Sequence, residues 1–196
     1  MRALWSTMAG LLLISGPAIG TEYQVDRNQE NVVRFISDAP LEDFDGVTDH
    51  IDGYVFWEGD EIPSDAAGLE SSQLHLEVRL ASLDTGIGLR NRHMREDYLE
   101  TDKFPYAVYT ARLTEVKRLS DTLLTATADG KIRIHGEEKP LQVTASLVPE
   151  ANGYRVRCDF EVNLKDFKIK IPKFMFLKIG EIIRVELDFQ MARFTE

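Results

Sequence analysis

The feature that most constrains this chain is a two-residue alternation of apolar and polar side chains that recurs along much of its length. In residues 73–81 the apolar positions are Leu74, Leu76, Val78 and Leu80. Residues 154–162 and 183–191 alternate as strictly, and weaker alternation is found in residues 32–37, 51–57, 106–116, 122–134 and 141–147. Successive side chains of a strand point to opposite faces, so these runs predict about eight strands, each with one apolar face.

Strands with one apolar face must bury these faces against each other, which a sandwich and a closed barrel both achieve. A barrel has no exposed strand edges, and about eight strands enclose a space wide enough for a small apolar ligand. Periodicity alone does not choose between the two folds.

The prolines that follow residue 20 lie, on this interpretation, between strands rather than within them. A residue without an amide hydrogen cannot sit in a central hydrogen-bonded ladder. We therefore expect the chain to leave the sheet at Pro40, Pro63, Pro105, Pro140, Pro149 and Pro172.

The first twenty residues have the pattern of a secretory signal peptide. Arg2 supplies a positive start, residues 4–14 are mostly apolar, and Ala18 and Gly20 are small residues before a cleavage point at Thr21. The apolar stretch is about half of the roughly 20 residues that cross a bilayer, so no stable membrane anchor is expected. We expect bacterial export to the periplasm or the medium, a signal peptide over residues 1–20 and one domain over residues 21–196.

Charge and cysteine content exclude several classes of protein. The chain has 23 Lys and Arg against 33 Asp and Glu, a formal net charge of -10. Nucleic-acid binding is not expected, because phosphate contacts need an excess of basic residues. The single cysteine, Cys158, cannot close an internal disulfide, and its strand pattern places it on an inward face.

No motif predicts a metal, a cofactor or a catalytic centre. An acidic cluster, Asp43, Asp45, Asp49 and Asp52, lacks the glycine that a calcium loop requires. The histidines have no zinc-binding spacing, and no G-x-S-x-G elbow is present. We therefore expect a protein that is not an enzyme.

Residues 89–99 break the strand rhythm and predict a short amphipathic helix. This helix carries the basic cluster Arg90, Arg92, His93 and Arg95. The cluster is either the solvated face of the helix or a contact for a phosphate or carboxylate headgroup, since arginine has a fixed donor geometry for such anions.

Three stretches resemble the YceI-like family of secreted lipid- or polyisoprenoid-binding proteins. Residues 81–86, followed by 90–95 and 103–105, are similar to the central signature of that family, with Asn91 in place of the usual aspartate and Met94 in place of the usual leucine. Residues 130–136 before Pro140 are similar to its G-x-L-x-I-H-G-x-x-x-P hairpin, and residues 164–167 also fit. Residues 32–40 depart from its usual opening strand.

The resemblance implies an all-β, lipocalin-like, eight-stranded antiparallel barrel that holds a long-chain isoprenoid or related lipid, with any charged head near Arg90, Arg92 and His93. The expected lining residues are Phe35, Tyr54, Phe56, Leu76, Val78, Leu80, Met94, Tyr98, Tyr109, Ile132, Ile134 and Phe160, with Phe174 and Phe176 as a lid. Which face of the strand Tyr54 and Phe56 occupy is undecided, because Ile51, Val55 and Trp57 compete for the inside. The alternative is an interaction module with a packed barrel and an acidic binding surface, and a homodimer is left open.

Overall fold

The computed structural model describes residues 20–37, 44–171, 173–174, 177–178 and 180–195, and of residues 173–174 and 177–178 the backbone only. The strands are β1 Gly20–Val25, β2 Val32–Ser37, β3 Phe44–Thr48, β4 Ile51–Glu58, β5 Gln73–Arg79, β6 Tyr106–Ser120, β7 Leu123–Ile134, β8 Glu137–Glu150, β9 Gly153–Asn163, β10 Lys173–Phe174, β11 Leu177–Lys178 and β12 Ile182–Arg193. The helices are α1 Ala66–Ser71 and α2 Gly88–His93, the latter continued by a π-helical turn over Met94–Tyr98. Short 3-10 turns lie at Leu80–Ser82 and Leu164–Phe167.

Eight strands form a closed antiparallel barrel in the order β1-β4-β5-β6-β7-β8-β9-β12, and the pairing of β12 with β1 closes the ring. The barrel and the short helix are therefore confirmed, and the sandwich is excluded. One edge of β12 is shared by two strands, because its first half pairs with β2 and its last residues pair with β1. Strand β3 extends this edge by pairing with β2.

The predicted alternation places apolar side chains inside the barrel. In β12, Leu187, Phe189 and Met191 point inward and are 9%, 2% and 5% exposed. Fully burying side chains of this kind contributes about 1.5–3 kcal/mol each. The eight predicted runs correspond to β2, β4, β5, β6, β7, β8, β9 and β12.

Two prolines lie where none was expected, inside β8. Pro140 pairs with Lys131 of β7, whereas the pairing of β8 with β9 begins only at Ser146. Pro149 pairs with Tyr154 of β9, beyond the last β7 pairing at Leu147. Each proline thus sits where one edge of β8 has no partner strand in the described sheet, and a missing amide hydrogen costs nothing on such an edge.

Helix α1 covers one end of the barrel. The Asp65 carboxylate caps the helix by accepting from the Gly68 amide at 2.8 Å. After the helix, Ser72 is fully buried, and its hydroxyl donates to the Leu69 carbonyl and accepts from the Leu113 amide of β6. These bonds fix α1 to the barrel wall, where Leu69 packs against the core.

At the opposite end, α2 and the connection after β9 pack beside the barrel opening. Phe167 and Ile169 of this connection are 3% and 5% exposed and pack with Ile132 and Val162. No helix in the described ranges is long and apolar enough to span a membrane.

Candidate functional site

The barrel encloses an apolar lumen in two sections. The inner cavity, of about 230 Å³, extends through the barrel core to the end covered by α1. The outer cavity, also of about 230 Å³, lies between the barrel and α2. The two sections adjoin each other, because six residues line both: Phe35, Leu80, Leu83, Ile134, Val162 and Val185. This open space argues against the packed barrel considered above.

Most of the residues expected to line a ligand site face this lumen. The inner cavity is lined by Phe35, Leu76, Val78, Leu80, Tyr109, Ile132, Ile134 and Phe160. The outer cavity adds Arg90, His93, Met94 and Tyr98. Arg92 is exposed and lines neither section. Phe176 and the side chain of Phe174, the expected lid, lie outside the described residues.

The structure corrects the placement of Tyr54 and Phe56. On β4 it is Val55 and Trp57 that point inward, at 9% and 3% exposure. Tyr54 instead stacks on His75 of β5 on the outer face, with 5.9 Å between ring centroids. Because β4 carries apolar residues on both faces, pairing with its neighbours decides which face is inside.

Tyr109 and Cys158, two polar side chains of the inner cavity, carry no charge at neutral pH. The Tyr109 hydroxyl lies 3.1 Å from the carbonyl oxygens of Ala128 and Leu141, two acceptors for its single proton. Burial raises the pKa of Tyr109 to about 12. Cys158 also lines the inner cavity, and burial raises the pKa of its thiol to about 12. The interior is therefore suited to an uncharged chain.

The signature turn at residues 84–86 is held by α2. Asn91 Oδ1 accepts from the amide and the hydroxyl of Thr85, and Asn91 Nδ2 donates to Asp84 at 2.7 Å. The bond from Asn91, followed by that from the Gly86 amide, lowers the pKa of the Asp84 carboxyl. This part of the family signature thus builds the outer end of the barrel.

The residues of the basic cluster differ in their contacts: Arg90 is bonded to the signature turn, whereas His93 is exposed. Arg90 donates from Nε to the Thr85 hydroxyl at 2.9 Å and from Nη2 to the Thr85 carbonyl at 2.8 Å. Its guanidinium also lies 4.7 Å from the centre of the Phe44 ring. His93 pairs with Asp97 at 2.6 Å. Arg90 thus positions the turn while its stem lines the outer cavity.

Lys170 is a lining residue that no sequence motif indicated. It borders the outer cavity opposite α2, together with Ile169. Long basic side chains line apolar space with their stems and keep their charged ends in water. Among the described residues, the outer cavity is bordered by Arg90, His93 and Lys170 and by no carboxylate. The only sequence signal was the alternation of residues 169–171, which is too short to be specific.

The second signature forms the β7–β8 hairpin, in which His135 and Gly136 both have positive φ. The ring of His135 packs on Phe104, with 4.6 Å between centroids, and its Nδ1 donates to the Phe167 carbonyl at 3.1 Å. A β-carbon on Gly136 would lie 2.8 Å from Phe104. The motif therefore anchors the connection that carries Lys170. In the described part of the chain, no three His, Cys, Asp or Glu residues converge on a point where they could hold a metal ion.

The comparison with known families agrees with this architecture. The model of the YceI-like domain matches residues 23–191. The chain belongs to the YceI-like family. A UPF0312 protein of Pseudomonas savastanoi pv. phaseolicola is 30% identical over 175 residues, which cover 82% of this chain and 83% of that protein. Protein YceI of Shigella flexneri is 28% identical over 180 residues, 84% of each chain.

Solved structures show the same barrel. A polyisoprenoid binding domain from Saccharophagus degradans has a TM-score of 0.65 at 15% identity, covering 87% of this YceI-like chain and 97% of that one. BcnA of Burkholderia cenocepacia has a TM-score of 0.64 at 13% identity, covering 86% and 99%. At these identities the likeness establishes the fold.

Proposed function

We propose that this protein is an exported carrier that sequesters a long-chain isoprenoid or related lipid in its barrel lumen and catalyses no reaction. The observation that carries the proposal is the apolar lumen, whose two adjoining cavities extend from the core to α2. The polyisoprenoid binding domain of Saccharophagus degradans, which has the same fold, supports it.

The energetics of such a site need no catalytic group. Each methylene moved from water into an apolar lumen contributes about 0.8 kcal/mol, so a long tail supplies most of the binding energy. Tyr109 and Cys158, whose pKa values are raised, remain neutral and are poor acid–base groups at physiological pH. We therefore assign the lumen to binding.

A charged head, where the ligand has one, lies at the outer cavity. The basic side chains there are Arg90 and His93, as the sequence led us to expect, together with Lys170. Arg92 lies on the exposed face of α2, where it contributes to the local positive charge but does not line the cavity. An anionic head at this rim stays close to water while its tail is buried.

The proposed location is the periplasm or the medium, with residues 1–20 removed on export and residues 21–196 forming the mature domain. Its support is the signal-peptide pattern of the sequence, since residues 1–19 lie outside the described ranges. N-terminal sequencing of protein recovered from the periplasmic fraction tests it. A mature chain that begins at Thr21 is expected, and retention of Met1 in that fraction contradicts it.

Organic extraction of the purified protein followed by mass spectrometry tests the binding function. We expect a long-chain lipid in near-stoichiometric amount, or stoichiometric uptake when isoprenoids are added to delipidated protein. Absence of both results contradicts the proposal. Size measurement of the loaded protein in the same preparation decides between a monomer and the homodimer left open above.

A further inference from the structure

Exposed apolar side chains are concentrated at one end of the barrel. Seven large apolar side chains are exposed in the described part of the chain. Leu119, near the end of β6, and Phe194, after β12, lie at the end covered by α1. The other five lie at the mouth of the lumen, where the outer cavity meets α2: Val47, Ile87, Leu89, Tyr106 and Ile182. Scattered apolar residues need no explanation, whereas a concentration of them marks an interaction surface.

Helix α2 exposes two of these side chains while it lines the cavity with others. Arg90, His93 and Met94 line the outer cavity. Ile87, at the start of the helix, and Leu89, in its first turn, are exposed. The helix therefore presents apolar side chains to the surroundings directly beside the opening of the lumen.

The remaining three side chains border the same end. Val47 pairs with the signature turn. Tyr106 and Ile182 are the first residues of β6 and β12, strands that begin beside Leu80 and Ile183 of the outer cavity. The exposed apolar residues of the mouth thus come from both sides of the opening.

The end covered by α1 is strongly acidic. Residues 58–70, which lead into α1 and form most of it, contain five exposed carboxylates and no basic residue: Glu58, Asp60, Glu61, Asp65 and Glu70. Asp60 pairs with Arg193 at 3.7 Å, and Asp65 caps the helix. An anionic surface repels this end of the molecule.

The mouth lacks this excess of carboxylates. Residues 85–95 contain three arginines and a histidine and no carboxylate. Of the flanking carboxylates, Asp84 is bonded to α2 and Asp97 pairs with the histidine, while Glu96 is exposed. The difference in charge between its two ends orients the molecule with its mouth toward an anionic surface.

We propose that the mouth of the lumen is a contact surface for an anionic phospholipid bilayer. This inference rests on the proposed function and adds the surface with which the carrier exchanges its lipid. The exposed apolar side chains enter the headgroup region, and the exposed basic side chains of Arg92 and Lys170 face the phosphates. Such binding grows with the apolar area buried and with the attraction to anionic lipids. A bilayer fits this surface better than a partner protein, because the ligand has to pass through the opening that the surface borders.

Co-sedimentation with vesicles tests the contact, using one set made of phosphatidylcholine and one made of equal parts phosphatidylcholine and phosphatidylglycerol. Leu89→Ser should weaken binding to the mixed vesicles about tenfold, which corresponds to about 1.4 kcal/mol for an apolar side chain that no longer leaves water. The matched control is Leu119→Ser, since Leu119 is 60% exposed against 59% for Leu89 and lies at the opposite end. It should bind as the unmodified protein does. All variants carry the same N-terminus, so the differences between them do not depend on residues 1–20.

The contribution of charge is tested separately with Arg92→Gln. A basic residue near an anionic bilayer contributes about 1 kcal/mol, so binding to the mixed vesicles should fall about fivefold and binding to phosphatidylcholine should not change. Arg118→Gln, an exposed change at the opposite end, is the control. Binding of the unmodified protein to the mixed vesicles should also fall as salt is added.

Absence of binding to both kinds of vesicle, or equal binding of Leu89→Ser and Leu119→Ser, overturns the bilayer contact. Self-association without vesicles that Leu89→Ser abolishes also overturns it and assigns the surface to a second copy of the chain. In each case, lipid recovered by extraction from the same preparation leaves the carrier function standing. Absence of both lipid and lipid uptake overturns the carrier function, and this inference with it.

Discussion

Asn91 Oδ1 accepts two hydrogen bonds from Thr85, from the amide at 2.8 Å and from the hydroxyl at 2.7 Å. Both residues are buried, at 8% and 9% exposure. The bonds join α2 to the turn that follows β5, and the same turn receives Arg90. A motif that looks like a basic binding site in the sequence therefore first builds the mouth of the lumen.

Replacing Asn91 should loosen this mouth. Asn91→Ala leaves the Thr85 amide and hydroxyl without their acceptor, and we expect a loss of about 2–3 kcal/mol in the free energy of unfolding. Urea denaturation followed by circular dichroism measures the loss. Arg92→Ala, an exposed change on the same helix, serves as control and should stay within about 0.5 kcal/mol of the unmodified protein. Similar stabilities for the two variants contradict the role given to Asn91.

Asp84 gives the same turn a dependence on pH. Its carboxylate accepts from Asn91 and from the Gly86 amide, and these bonds lower its pKa. A carboxyl group whose pKa is lowered by folding stabilises the protein above its unfolded pKa of about 4, and this contribution is lost as the pH falls through the lower folded value.

Asp84→Asn should therefore be less stable than the unmodified protein at pH 7, and the difference in stability should shrink as the pH falls below about 4. Unfolding curves in urea at a series of pH values measure the difference. Asp121→Asn, in the exposed turn between β6 and β7, is the matched control. A stability difference for Asp84→Asn that does not change with pH contradicts this account.

Alternation predicted most of the barrel wall because it follows from which face of a strand meets the core. It did not predict β1 and β3. Gly46 interrupts the five-residue strand β3, and β1 has three inward positions, Thr21, Tyr23 and Val25, beside the expected cleavage point. Neither strand is recognisable until its partners are known, since β1 is fixed by pairing with β4 and β12.

The sequence predicted the residues on the barrel strands that line the lumen, but not the residues at its two ends. Leu76, Val78 and Phe160 alternate strictly and do line the lumen. The positions of Lys170 beside the outer cavity and of Trp57 in the inner one depend on contacts between segments distant in sequence. For Trp57 the strand is apolar on both faces, and only the stacking of Tyr54 on His75 outside the barrel shows which face is inside.

Narrowing the lumen should weaken lipid binding without unfolding the barrel. Ala145 of β8 lines the inner cavity, whereas its neighbour Thr144 is exposed. Ala145→Trp places an indole in space that a chain needs, and exclusion of two methylenes lowers affinity by about tenfold. Thr144→Trp adds the same ring outside and should bind lipid normally. Lipid recovered by extraction from the two variants measures the effect, and equal recovery contradicts a luminal site.

Lys170 should select ligands by headgroup charge. An exposed charge pair is worth roughly 0.5–1 kcal/mol, so Lys170→Gln should weaken binding of a long-chain carboxylate by about threefold. Binding of the alcohol of equal length should not change. Lys139→Gln, which removes a positive charge away from both cavities, is the control. Dye displacement at low and high salt measures both ligands, and a similar loss for the carboxylate and the alcohol contradicts an anion contact.

Burial of the Cys158 thiol should make the free energy of unfolding depend on pH in the alkaline range. Burial raises the pKa of its thiol to about 12, whereas an unfolded thiol titrates near 8.5. Above pH 8.5 the unfolded chain loses this proton while the folded chain keeps it, so stability falls as the pH rises. Relative to Cys158→Ala, the unmodified protein should lose about 1–2 kcal/mol between pH 8 and pH 10. Comparing the pH slopes removes the constant effect of the smaller side chain.

At pH 8 the folded protein should react with a charged disulfide reagent at least about 100-fold more slowly than in urea, because only the thiolate reacts. Parallel pH slopes for the two proteins, together with rapid labelling of the folded chain, contradict a thiol buried in the lumen.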